Sequence, residues 1–69
     1  MANNYEKLGS AIRKIRKQND LSQEDLAEKV GVDARTIVAI ETGKRNPTLK
    51  TMNKISKALK VSLSQLLNF

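Results

Sequence analysis

Apolar residues recur at spacings of three and four along nearly the whole of this 69-residue chain. That repeat gathers apolar side chains on one face of an α-helix, whereas a half-buried β-strand alternates apolar and polar residues. No segment alternates in that way over a useful length. Residues that favour helix ends divide the pattern into short segments. The sequence therefore predicts a compact all-α domain of five helices and no sheet.

The breaks between the predicted helices coincide with capping residues. Ser22 with Asp25, and Ser62 with Gln65, have the spacing of a capping box, in which two residues satisfy each other's backbone N–H groups. Gly31 stands where the end of the second helix needs a left-handed residue. The other predicted boundaries are Asn19-Asp20, Asp33, Thr42-Gly43 and Thr48. The apolar faces comprise Tyr5, Leu8, Ala11, Ile12 and Ile15 on the first helix, Leu26, Ala27 and Val30 on the second, Ile37 and Ile40 on the third, Leu49, Met52, Ile55 and Leu59 on the fourth, and Leu63, Leu66 and Leu67 on the fifth.

The composition argues against an enzyme. The chain has no cysteine and no histidine, which excludes disulfide scaffolds and Cys/His zinc sites and removes the commonest general base and the best nucleophile. Glu24, Asp25 and Glu28 lie on one short predicted helix without a nucleophile or metal-ligand set beside them. They are interpreted as helix-dipole and solubility charges. We expect no catalytic residues, no metal and no cofactor.

The net charge of +6 is concentrated in the last third of the chain. Residues 1–41 carry seven basic and seven acidic side chains, whereas residues 42–69 carry six basic side chains and no acidic one. This asymmetry indicates an anionic partner, either nucleic acid or an anionic membrane surface. No apolar run approaches the roughly 20 residues that span a bilayer, and the amino terminus does not have the pattern of a signal peptide. We therefore expect a cytoplasmic protein that does not bind membranes.

The most specific motif spans the second and third predicted helices, over residues 23–40. Ala27 is small enough to let another helix approach, Gly31 lies at the turn four residues later, and the β-branched Ile37 follows. Two short helices that cross steeply at a glycine turn need this pattern. The motif resembles the helix-turn-helix of the Cro/C1-type repressors, the XRE family. The resemblance covers roughly residues 8–67 and includes Leu21-Ser22-Gln23, Ile40-Glu41 and the segment from Gly43 to Leu49.

The resemblance implies a function and a docking geometry. It implies a single lambda-repressor-like domain over residues 1–69, with the helix-turn-helix at about residues 22–42 and no separate effector domain. Such a protein is expected to regulate transcription by binding double-stranded DNA, as a repressor. It would bind a two-fold operator as a homodimer, with its third helix in the major groove and its second across the backbone.

The same resemblance, together with the helical period, assigns roles to individual residues. The base-contacting residues are expected to be Ala34, Arg35, Thr36, Val38 and Ala39. The phosphate-contacting residues are expected to be Gln23, Lys44, Arg45, Asn46 and Lys50. Arg16 and Glu41 are expected to form a structural ion pair, and Leu63, Leu67 and Phe69 a dimer interface.

Several of these assignments have plain alternatives. Arg35 has the planar donors to bind guanine O6 and N7, but it could equally bind a phosphate or lie in solvent. Val38 could pack against a neighbouring helix instead of meeting DNA. Lys54 and Lys57 are expected to form a solvated face.

A second function also fits the sequence. The poor polar content at Val38 and Ala39 leaves open a protein-interaction module or an antitoxin-type partner protein, with weak or partner-dependent DNA binding. A phage repressor and a restriction–modification controller remain equally compatible with the basic loop.

Overall fold

The computed structural model describes residues 3–68, which form five α-helices and no strand. In chain order the helices are α1 (Asn4–Gln18), α2 (Gln23–Val30), α3 (Ala34–Glu41), α4 (Leu49–Leu59) and α5 (Leu63–Leu66). The predicted all-α class and the number and order of the helices are confirmed for this part of the chain.

The helices begin and end where the capping residues predict. Ser22 Oγ accepts a hydrogen bond from the Asp25 N–H at 2.9 Å, and the Asp25 carboxylate accepts one from the Ser22 N–H at 2.9 Å. The same reciprocal pair joins Ser62 and Gln65. Gly31 ends α2 in the left-handed region, with φ of 83°. Local hydrogen bonding thus fixes the boundaries that position the site.

The core is aliphatic and draws on all five helices. Its fully buried large side chains are Ile12, Leu26, Ile37, Ile40, Ile55, Leu59 and Leu66. Three residues expected on apolar helix faces are exposed instead, with Tyr5 at 48%, Leu49 at 65% and Leu67 at 44%. Tyr5 and Leu49 lie in the first turn of a helix, whereas Leu67 follows the end of α5. The core contacts of α4 come from Met52, Ile55, Ala58 and Leu59.

Helix α1 lies directly on the carboxyl-terminal end of α3. Gly9 is buried in this contact, and a Cβ atom at its position would come within 2.5 Å of the Glu41 carbonyl oxygen. A side chain of any size there would push the two helices apart. Since α2 also packs against α3, two neighbouring helices hold α3.

Candidate nucleic-acid interface

Helix α3 has one buried face and one face open to solvent. Ile37 and Ile40 are 0% and 2% exposed and anchor the helix in the core. Arg35 and Val38 are exposed on the other side. The remaining predicted base-contacting residues, Ala34, Thr36 and Ala39, are half-buried. The open face of an α-helix of this kind fits the major groove of B-DNA, which is about 12 Å wide.

Arg35 is the one charged side chain among the predicted base-contacting residues of this face. Its side chain is 92% exposed, and its guanidinium donates to the Asp33 carboxylate at 3.3 and 3.4 Å. Asp33 also caps the helix by accepting the Arg35 N–H at 2.8 Å. These contacts hold the pKa of Asp33 below its usual value and raise that of Arg35. An exposed pair of this kind is weak, so the guanidinium can exchange the carboxylate for acceptors on a base.

Val38 and Ala39 add no polar group to the face. Val38 is 40% exposed and is not among the residues packed against the core. An apolar side chain in the major groove can contact the methyl group of thymine. Ala34 packs partly against the core, so only part of its surface is open.

The basic loop is attached to the end of α3. The backbone N–H groups of Lys44 and Arg45 donate to the Ala39 carbonyl at 2.9 and 3.2 Å. Gly43 makes the turn into the loop in the left-handed region, with φ of 76°. The side chains of Lys44, Arg45, Asn46 and Lys50 are exposed. These hydrogen bonds fix the backbone of Lys44 and Arg45 relative to α3.

Gln23, expected to contact phosphate, already has one partner within the domain. It is the first residue of α2 and half-buried, and its Nε2 donates to Glu41 Oε1 at 3.1 Å. A side-chain amide has two N–H donors, so one remains for a ligand. The backbone N–H groups at the beginning of a helix also favour an anion.

The structure brings Arg16 and Glu41 together as a buried, bidentate pair. Arg16 Nε donates to Glu41 Oε2 at 2.7 Å, and Nη2 donates to Oε1 at 3.1 Å. Arg16 Nη1 also donates to the Leu21 carbonyl at 2.7 Å. One side chain of α1 therefore ties the entrance of α2 to the end of α3.

The residues expected at a dimer interface have different environments. Leu63 is half-buried and packs against the core, whereas Leu67 is 44% exposed. Phe69 lies outside the described residues.

Sequence reasoning missed three contacts that shape this surface. The bond between Gln23 and Glu41 joins residues 18 positions apart and has no local signal. The pair of Asp33 and Arg35 was not predicted from the sequence, although a carboxylate two positions before an arginine was a usable signal. Gly9 was also usable, because a glycine within a helical pattern often marks a close approach of backbones.

The sequence model of the helix-turn-helix family HTH_3 matches residues 12–66. The chain belongs to the Cro/C1-type (XRE) helix-turn-helix family. It is 44% identical over 55 residues to an uncharacterized helix-turn-helix transcriptional regulator of Methanocaldococcus jannaschii, covering 80% of this chain and 83% of the relative. The restriction–modification controller protein C.AhdI from Aeromonas hydrophila is 34% identical and superimposes with a TM-score of 0.88, covering 90% of this chain and 94% of that one.

Another solved helix-turn-helix protein of this fold was determined with DNA. This is SinR, the master regulator for biofilm formation, which is 35% identical with a TM-score of 0.83, over 88% of this chain and 98% of that one. The Cro/C1-type family consists of DNA-binding transcription regulators and not of enzymes. The chain is accordingly a DNA-binding transcriptional regulator. None of the helices formed by residues 3–68 is both long and apolar enough to cross a membrane.

Proposed function

We propose that this protein is a sequence-specific repressor that binds a two-fold operator as a homodimer. In this proposal α3 enters the major groove, Arg35 reads a base edge, and Gln23 and the basic loop bind the flanking phosphates. We further propose that the protein acts in the cytoplasm, where the archaea and bacteria that contain its relatives hold their DNA.

The observation that carries the proposal is the arrangement of α3 and the loop that follows it. Arg35 is exposed on the open face of α3. Lys44 and Arg45 begin a loop whose backbone is hydrogen-bonded to Ala39 of the same helix. The backbone that carries the proposed base-reading side chain and the two proposed phosphate-binding side chains therefore forms one hydrogen-bonded unit. Phosphate contacts set the register in which base contacts are read, so such a unit suits sequence-specific binding.

The homodimer is supported by geometry and by exposed apolar surface. Two-fold operators place their half-sites about 34 Å apart, one turn of DNA. The domain measures 30 × 23 × 22 Å, so two copies side by side extend over more than one turn of DNA and can reach both half-sites. Leu67 on the terminal segment is 44% exposed and provides apolar surface for the contact.

Repression requires nothing more than this binding mode. A dimer on an operator that overlaps a promoter excludes polymerase by occupying the DNA. In a purified transcription reaction, addition of the protein should reduce the transcript from such a promoter and leave a promoter without the operator unchanged. An increase in the transcript would identify an activator instead.

Selection of binding sites from a random duplex pool tests the sequence specificity. Selection should be made near physiological salt with excess non-specific competitor DNA, because the electrostatic part of binding weakens steeply with salt. The proposal predicts enrichment of a two-fold site with half-site centres about 10 base pairs apart. Recovery of no motif, with binding that vanishes as salt rises, would contradict it and favour a module that depends on a protein partner.

A further inference from the structure

Four lysines surround an open cavity at the carboxyl-terminal ends of α2 and α4. The cavity has a volume of about 350 Å³ and is lined by Lys29, Lys54, Lys57, Ala58 and Lys60, which we call the lysine groove. Lys54 and Lys57 are exposed to solvent, as expected from the sequence. They also line this cavity together with Lys29 of α2, so positive charge is concentrated at a second place on the surface.

The lining of the lysine groove contains no acidic residue. Asp25, which precedes Lys29 by four residues on α2, interacts electrostatically with Lys29 but does not line the groove. The ion pairs formed within residues 3–68 are Arg16–Glu41 and Arg35–Asp33, and neither involves a groove lysine. All four lysines are exposed. A concave surface lined by one sign of charge focuses the electrostatic potential and attracts the opposite charge.

Stabilisation of the helices does not account for this cluster. Lys29 and Lys57 lie in the last turns of α2 and α4, where a cation interacts favourably with the helix dipole. Lys54 lies in the middle of α4 and has no such role. Lys60 caps α4 in the left-handed region, with φ of 60°, where glycine is the unstrained choice. Lys60 therefore occupies a position where its backbone conformation is unfavourable for a residue with a side chain.

The lysine groove lies away from the proposed DNA-binding residues. Gln23 begins α2, and Lys29 follows six residues later, about 9 Å along the helix. On α4, Lys50 lies in the first turn and Lys57 follows about 10 Å further along. Both helices therefore direct their amino-terminal ends to the DNA-binding surface and their carboxyl-terminal ends to the groove.

We propose that the lysine groove binds an acidic segment of a partner protein. Carboxylate side chains of a flexible peptide can enter a cavity between two helices. The phosphates of duplex DNA lie on a rigid convex surface and stay outside such a cavity. The lining contains no aromatic side chain on which the bases of a single strand would stack. It also contains no arginine, whose planar fork suits phosphate, whereas lysine acts as a point charge. Ala58 supplies an apolar surface in the groove that the methylene groups of a glutamate can contact.

The test uses the full chain, a deca-glutamate peptide as the probe, and two variants that lose the same charge. Lys57→Gln/Lys60→Gln removes two charges from the lysine groove, and Lys44→Gln/Arg45→Gln removes two from the basic loop. Peptide affinity is measured by calorimetry at low ionic strength, and urea unfolding shows that each variant is folded. The groove variant should bind the peptide roughly tenfold more weakly than the loop variant. The loop variant alone should lose most of its affinity for duplex DNA.

Three results would overturn the proposal. Equal loss of peptide binding in the two variants would show that the peptide senses only net charge. Displacement of the peptide by saturating duplex DNA in the wild-type protein would make the groove part of the DNA-binding surface. Absence of measurable peptide binding to the wild-type protein would exclude an acidic partner segment. None of these results bears on the operator selection, so the two proposals fail separately.

Discussion

At the scale of single residues, the buried pair of Arg16 and Glu41 is the contact on which the site most depends. It ties α1 to α3, holds the Leu21 carbonyl and shares an oxygen with Gln23. Removing one member of a buried pair leaves the other charge desolvated without compensation, which typically costs 3–5 kcal/mol. A domain of this size has roughly 3–10 kcal/mol of stability in total.

Glu41→Gln should lower the free energy of unfolding by about 3 kcal/mol, because it strands the Arg16 guanidinium in the core. Urea unfolding followed by circular dichroism measures the change. The double variant Arg16→Met/Glu41→Leu is the control, since replacing both charges with apolar groups should recover most of the loss. A double variant as unstable as Glu41→Gln would show that shape, and not the stranded charge, sets the cost.

At the scale of helices, the caps contribute a stability that depends on pH. Hydrogen bonds from Ser22 lower the pKa of Asp25 in the folded protein, and hydrogen bonds from Arg35 lower that of Asp33. In the unfolded chain both carboxyls take up protons at a higher pH, near 3.8, the ordinary pKa of an aspartate side chain. Their stabilisation is therefore fully present above that value and is lost as the pH falls through the folded-state values.

Unfolding free energy measured between pH 7 and pH 2 should therefore be steady down to about pH 5 and then fall. Asp25→Asn and Asp33→Asn should each flatten the acid part of the curve. Asparagine retains the capping oxygen but has no charge to titrate. An acid slope unchanged in the variant with both substitutions would assign the pH dependence to other carboxylates.

A second prediction at this scale concerns the close contact between α1 and α3. Gly9→Ala should destabilise the fold by about 1–3 kcal/mol, because the new methyl group meets the backbone at the end of α3. The neighbouring Ser10→Ala is a matched control on the exposed side of the same helix and should be neutral or slightly stabilising. Thermal unfolding of the two variants gives the comparison. Equal melting temperatures would mean that α1 does not pack as closely as described.

Whether a feature could be predicted from the sequence depends on how far apart along the chain its interacting residues lie. Some helix ends depend on hydrogen bonds between residues three or four positions apart, and these ends could be predicted from the sequence. They are the ends at Ser22, Gly31 and Ser62. Leu49 fits the helical repeat of α4 yet is exposed, because the repeat does not reveal where neighbouring helices end. The partner of Arg16 lies 25 residues away and came from a family resemblance, not from local pattern.

At the scale of the whole molecule, dimerisation should depend on the terminal apolar segment. Leu67→Glu should shift the protein to monomer at concentrations where the wild type is a dimer, since a charge at an apolar contact is desolvated without a partner. Leu49→Glu makes the same change at another exposed leucine and should leave the dimer intact. Sedimentation equilibrium without DNA measures both. A monomeric wild type at all concentrations would contradict the proposed dimer.

The central claim is that α3 reads base edges and the basic loop binds phosphates. Competition binding of Arg35→Ala and Lys44→Ala tests this claim most directly. Affinities for the selected operator, for its single-base variants and for non-specific DNA are measured over a series of salt concentrations. Arg35→Ala should lose about 1–3 kcal/mol of discrimination at one or two base pairs. Lys44→Ala should weaken binding to all duplexes about equally and reduce the salt slope by roughly one unit. If the two variants lost the same discrimination and the same slope, the separation of base-reading from phosphate-binding residues would be wrong.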